Sequence, residues 1–152
     1  MRYIDLQINA SKEKMMYEIS KVHNEIPKLW MPIEPVTEAE IQSSMSRMMT
    51  NKCYIRMVQE DDSDTLVGFI WAELFDDHAM VVSLYVDKKH RHQGIASQLK
   101  KDLETWCINQ EVYKIKTTVS YANKNMLKLN KELGYKAGMV HMVKELKPIN
   151  KE

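Results

Sequence analysis

Apolar and polar positions alternate along "RYIDLQI" (Arg2–Ile8), the period of a strand with one buried face. Asn9, Ala10 and Ser11 then offer a helix start. Met15, Ile19, Val22 and Ile26 follow at spacings of four, three and four, which predicts a helix with one apolar face. Pro27 ends that helix or falls just past its end, and the two prolines of "LWMPIEPV" exclude regular structure there. Thr37 with Glu40 three residues on reads as a capping box, opening a second helix through Ile41, Met45 and Met48. "CYIRMVQ", the turn "EDDSD" and "TLVGFIWAELF" predict a hairpin. After "DDH", "AMVVSLYV" adds a third strand to the meander.

Ile95, Leu99, Leu103 and Trp106 make the apolar stripe of a third helix, and "KIKTTVS" alternates as a strand. Met126, Leu129 and Leu133 predict a short helix that stops at Gly134, a natural C-terminal cap. "KAGMVHMVKEL" reads as a last strand. The expected order is β-α-α-β-β-β-α-β-α-β. An antiparallel meander followed by a βαβ crossover is a mixed-sheet α/β (α+β) domain. At 152 residues one domain over 1–147 is expected, with 148–152 as a frayed tail.

Composition narrows the chemistry. A chain this long buries about 70% of its unfolded surface and needs no covalent staples. Cys53 and Cys107 fall in a strand-like and a helix-like run, so buried thiols and a reducing compartment are expected. The N-terminus lacks a signal-peptide core and no run is long and apolar enough to span a membrane, so a cytoplasmic protein without a membrane partner is expected. A formal net charge of +1 gives nucleic-acid binding no electrostatic support. No metal-ligand spacing appears. The twelve methionines fall mainly on helix and strand faces and read as core filler.

One junction stands apart. "VSLYVDKKHRHQGIASQL" takes a strand through a basic, glycine-containing turn into a helix. The first turn of a helix carries unpaired N–H groups and a partial positive charge, a ready site for phosphate. Gly94 and Ala96 keep the backbone open, and Lys88, Lys89 and Arg91 add local positive field. The competing reading is a solvated basic corner. The spacing matches neither G-x-G-x-x-G nor the P-loop.

The stretch resembles the acetyl-CoA signature of the GCN5-related N-acetyltransferase (GNAT) superfamily. There a strand leads into R/Q-x-x-G-x-G/A at a helix start, and Arg91, Gly94 and Ala96 take those positions. His92 stands where the family often has glycine. A second family pattern falls on Asn123, Met126, Asn130 and Leu133-Gly134-Tyr135. The resemblance covers nearly all of the chain and implies its fold, acetyl-CoA as co-substrate, and acyl transfer to an amine. It implies that Leu84, Tyr85 and Val86 pair with the pantetheine arm. It implies that the pyrophosphate lies on the N–H groups of Arg91, His92, Gln93, Gly94, Ile95, Ala96 and Ser97, with His90 and His92 beside it. It implies that Asn123 meets the pantetheine or the acetyl end, and that an N–H near Tyr85 holds the oxyanion.

Asn130 replaces the tyrosine that protonates the leaving thiolate in the family, so water, Tyr85 or Tyr121 would have to serve. A non-catalytic acyl-CoA-binding or regulatory module is the alternative. Glu73, among apolar residues on a strand, is a candidate base if burial raises its pKa; an outward-facing strand glutamate is the competing reading. His78 and His141 read as structural or solvent-exposed. Trp30, Met31, Glu34, Glu38 and Glu40 form an acidic, aromatic-edged stretch that suits a cationic amine, although Glu38 and Glu40 also suit a helix N-terminus. A monomer or homodimer is expected.

Overall fold

A computed structural model describes residues 1–29, 35–144 and 146, with only the backbone described at Ala10, Lys28 and Leu29. The chain forms two compact units, Met1–Thr118 and Val119–Glu152.

The first unit contains β1 (Arg2–Asp5), α1 (Glu13–Glu25), α2 (Glu38–Thr50), β2 (Cys53–Gln59), β3 (Leu66–Leu74), β4 (Ala79–Val86), α3 (Ile95–Asn109) and β5 (Ile115–Thr117). The sheet runs β1-β2-β3-β4-β5. Its first four strands are antiparallel, and β5 joins β4 in parallel after the α3 crossover. The meander and crossover read from the sequence are present. β1 is shorter than the alternation suggested, because the chain leaves the sheet after Leu6 N–H bonds Ile55 O at 2.8 Å.

Alternation along the strands sends side chains to two cores. On one face Val58, Ile70, Ala72 and Val81 meet Ile95, Leu99, Leu103 and Cys107 of α3. On the other, Ile55, Met57, Phe69 and Trp71 meet Met16 and Ile19 of α1 and Ile41, Met45 and Met48 of α2. The unbranched methionines fill this second core, as expected. The buried line of α1 is Met16, Ile19 and Ser20, rotated from the Met15–Val22 stripe because α2 packs beside α1 as well as the sheet below it. Thr37 and Glu40 form the capping box that opens α2.

The second unit holds α4 (Lys124–Glu132), closed by Gly134 at φ 93°. Tyr135 N–H bonds Asn130 O at 2.8 Å and Gly134 N–H bonds Lys131 O at 3.0 Å, so these two carbonyls of the last turn find donors. The expected last strand is absent among the described residues: 136–144 carry no regular structure, and Met139, Val140, Met142 and Val143 are exposed. A strand exists only where a neighbour takes its backbone groups. Apolar patterning alone does not supply that neighbour.

Candidate active site

The site begins with an irregularity in β4. Trp71 pairs with Ser83 but Ala72 pairs with Val81, so Val82 is an extra residue, a β-bulge. β5 pairs only with Ala79, Met80 and Val81. Beyond the bulge, β4 stays on β3 through Val86 and has no described partner on its other side. The two parallel strands therefore part at Val82.

Which backbone groups face that gap follows from alternation. Asp87 N–H bonds Val67 O of β3 at 2.7 Å. Tyr85 also faces β3, since a Cβ built on Gly68 would lie 2.6 Å from Tyr85 O. Leu84 and Val86 therefore turn their N–H and C=O groups into the gap. Val86 O is taken by Arg91 Nε at 2.9 Å. Among the described residues the open groups are Leu84 N–H, Leu84 C=O and Val86 N–H. This corrects one expectation: Tyr85 has no backbone group to offer the gap. Its ring packs on Phe69 at 5.9 Å between centroids, and its hydroxyl lies 3.5 Å from Asp87 Oδ1. Burial, with the Asp87 carboxylate adding to it, raises the Tyr85 pKa.

The turn that follows is built for exposed N–H groups. Asp87 accepts from Lys89 N–H at 3.2 Å, starting a short 3-10 turn over Lys88–His90. His92 and Gly94 both adopt left-handed φ, 64° and 83°. This is why glycine suits position 92 and why His92 is strained there. A Cβ on Gly94 would meet nothing within 4 Å, so φ and the open space beside it, not packing, ask for glycine. α3 makes its first backbone bond from Gln98 N–H to Gly94 O at 3.0 Å. The N–H groups from Arg91 to Ser97 precede it and have no backbone acceptor among the described residues.

Glu73 is held in an ion pair, which the strand position alone did not indicate. It is buried rather than outward-facing, and Arg47 grips it through Nε–Oε2 at 2.6 Å and Nη2–Oε1 at 2.9 Å, and Asn51 adds a bond at 2.8 Å. The Arg47 hydrogen bonds hold its pKa below the ordinary carboxylate value, overcoming the upward push of burial. Pairing, not burial, decides its ionisation.

Sequence reasoning passed over His23. It stands on α1 four residues after Ile19, in line with the buried face, and its ring meets Trp71 edge-on at 5.1 Å. Burial, then the charge of Arg47, lowers its pKa, so its ring is neutral near pH 7. The signal available was its place on the Met16–Ile19 side of the helix. Trp71 Nε1 and Ser83 Oγ, cross-strand neighbours on this same face, are buried without hydrogen-bond partners among the described residues.

Other candidates have local duties. Glu38 accepts from Tyr17 and Gln42, and Glu40 closes the capping box, so both carboxylates are engaged. Trp30, Met31 and Glu34 lie outside the described residues. His78 pairs with Asp77 and stacks on Phe75, and His141 is exposed. In the second unit Asn123 caps α4 by accepting from Met126 N–H at 3.1 Å. Asn130 is buried with its Oδ1 unpartnered among the described residues, and Tyr121 is exposed under the Lys124 ammonium.

Known proteins place this arrangement. No curated protein sequence matches the chain. Solved structures share its fold. A protein from Clostridium acetobutylicum described as a predicted acetyltransferase, solved with acetyl-CoA, superposes with TM-score 0.70 at 13% identity, over 95% of this chain and 96% of that one. An aminoglycoside acetyltransferase from an uncultured soil metagenomic sample gives 0.66 at 17% identity, over 96% and 98%. A ribosomal-protein-alanine N-acetyltransferase from Brucella melitensis biovar Abortus 2308 gives 0.67 at 15% identity, over 96% and 100%. The family model for the acetyltransferase (GNAT) family matches residues 17–135, from α1 through the bulged β4, the turn and α4 to Tyr135. The chain belongs to the GNAT family of acetyltransferases.

Proposed function

We propose that the protein transfers the acetyl group of acetyl-CoA to a primary amine by direct attack in a ternary complex. The observation that carries this reading is the parting of β4 from β5 at Val82, with Leu84 and Val86 facing the gap and free N–H groups waiting at the start of α3. Open strand groups suit the amide-bearing pantetheine arm, which pairs as a strand would. The Arg91–Ser97 amides suit the pyrophosphate. Acetyl-CoA supplies an activated thioester carbonyl for the amine to attack.

The chain's own contribution is placement and charge. Leu84 N–H or Val86 N–H, aimed into the gap, stabilises the developing oxyanion. Holding amine and thioester together does most of the remaining work, since the two are already reactive partners. The amine arrives protonated and must lose a proton. On the α1/α2 face Glu73 is clamped by Arg47, whereas His23 is a neutral imidazole with no hydrogen bond among the described residues. His23 takes that proton directly or through water.

Proteins of this fold are named for acceptors as different as aminoglycosides and a ribosomal protein's alanine. The acceptor here is accordingly a small-molecule or peptidyl amine. A cationic preference has lost Glu38 and Glu40 as support, since both are engaged locally.

The second reading, an acyl-CoA-binding module without turnover, is favoured by Asn130, whose amide cannot deliver a proton to the thiolate. Against it, a CoA thiolate with a pKa near ~8.5 leaves without much help. The test is CoA-thiol release across a panel of polyamines, aminoglycosides, amino acids and N-terminal peptides. Amine-dependent release supports the enzyme. Acetyl-CoA binding with no release from any amine favours the binding module.

A further inference from the structure

The β2–β3 hairpin reaches the phosphate turn through one side chain. His90 Nδ1 lies 3.1 Å from Asp87 Oδ2, and its Nε2 lies 3.4 Å from Glu60 Oε2. The Asp87 contact is a hydrogen bond, and the Glu60 carboxylate stands at ion-pair distance on the opposite side of the ring.

Both ends of this bridge are fixed. Asp87 is tied to β3 by its N–H on Val67 O, and its own carbonyl accepts from His90 N–H at 2.9 Å. Glu60 N–H bonds Thr65 O at 3.2 Å, and Arg2 donates to Glu60 O at 3.2 Å and to Ser63 O at 2.6 Å. Past His90 the support thins. Up to the first bond of α3, the Arg91–Gly94 stretch is held by the bond from Arg91 to Val86 O and contains both left-handed residues. His90 is thus the last firmly anchored point before the amides read above as the phosphate site.

We propose that Glu60 is a positioning residue for CoA: through His90 it fixes the turn so that the Arg91–Gly94 amides converge on the pyrophosphate. The inference rests on reading that turn as the cofactor site. Charge alone predicts the opposite effect, because a carboxylate near a pyrophosphate repels it. Removing Glu60 should tighten CoA by charge and loosen it by loss of positioning, so the sign of the change separates the two.

The experiment titrates CoA calorimetrically into wild type, Glu60→Gln, His90→Gln and the double variant. Hydrogen exchange of the 88–94 amides is measured on the same four proteins without ligand. The expected result is weaker CoA binding by Glu60→Gln, roughly twofold to fivefold, the worth of a partly exposed ion pair. Faster exchange across the turn accompanies it, and Glu60→Gln causes no further loss once His90 is Gln. CoA binding that is unchanged or tighter in Glu60→Gln, with unchanged exchange, overturns the positioning role and leaves the cofactor site standing. A wild type that binds no CoA overturns the cofactor reading and this role with it.

Discussion

Replacing Arg47 by methionine tests how Glu73 is held. The Glu73 side chain is 4% exposed, against 46% for Arg47, so the variant leaves a carboxylate inside with Asn51 as its remaining partner. Breaking a fully buried pair costs ~3–5 kcal/mol. Arg47 is half solvated and Asn51 stays, which lowers the expected loss to about 2–3 kcal/mol. For a domain of this size that is a fall in Tm of roughly 5–10 °C.

The pH dependence gives the sign. In the wild type the Glu73 pKa is lowered, so its contribution is present above the unfolded carboxyl value, ~4.3, and disappears as pH falls through the lower folded value. Without Arg47, burial dominates and the pKa rises, so the variant loses stability as pH increases. Urea denaturation at pH 5 and pH 8 should show a larger deficit at pH 8. Adding Glu73→Gln to Arg47→Met should recover more than half of it. A loss under ~0.5 kcal/mol, or a double variant as unstable as Arg47→Met, would refute the reasoning. Because Glu73 is held as the ion-pair partner of Arg47, Glu73→Gln alone should leave the acidic limb of the pH–rate profile, where loss of a general base shows, unmoved.

Two further substitutions probe the site. Gly68→Ala sets a Cβ 2.6 Å from Tyr85 O, so β3 and β4 must shift apart; about 1–3 kcal/mol of stability should be lost in denaturant titration, and acetyl-CoA affinity should fall as Leu84 and Val86 move. Asn130→Tyr puts a hydroxyl where the resemblance to the family expects the proton donor; on that expectation CoA-thiol release should rise while acetyl-CoA affinity holds, and equal turnover would contradict it.

Local patterns carried much of this fold. The capping box at Thr37, the C-terminal cap at Gly134, the meander and the glycine at 94 each rest on residues within a few positions of one another, where propensity and period speak directly. The candidate site depends on longer reach. Arg47 meets Glu73 across 26 residues, and no local signal pairs them, so a base and a clamp look alike in the sequence. The bulge at Val82 is invisible as well, because "MVVSLYV" alternates no differently there than in a regular strand, yet it decides which amides face the gap. His23 was hidden by a rotation of the α1 face, which α2 sets. The final strand shows the converse error. Its pattern is strand-like, but the backbone partners a strand requires are absent from the described residues.

The measurement closest to the central claim is calorimetric titration of acetyl-CoA into wild type and Gly94→Glu. Gly94 holds φ 83° at the start of α3, beside open space. A glutamate there strains the turn and sets a carboxylate where the pyrophosphate is expected to lie. The account predicts micromolar binding by the wild type and its loss in the variant, with the fold intact by circular dichroism. Equal affinity in both proteins, or no binding by the wild type, would contradict it.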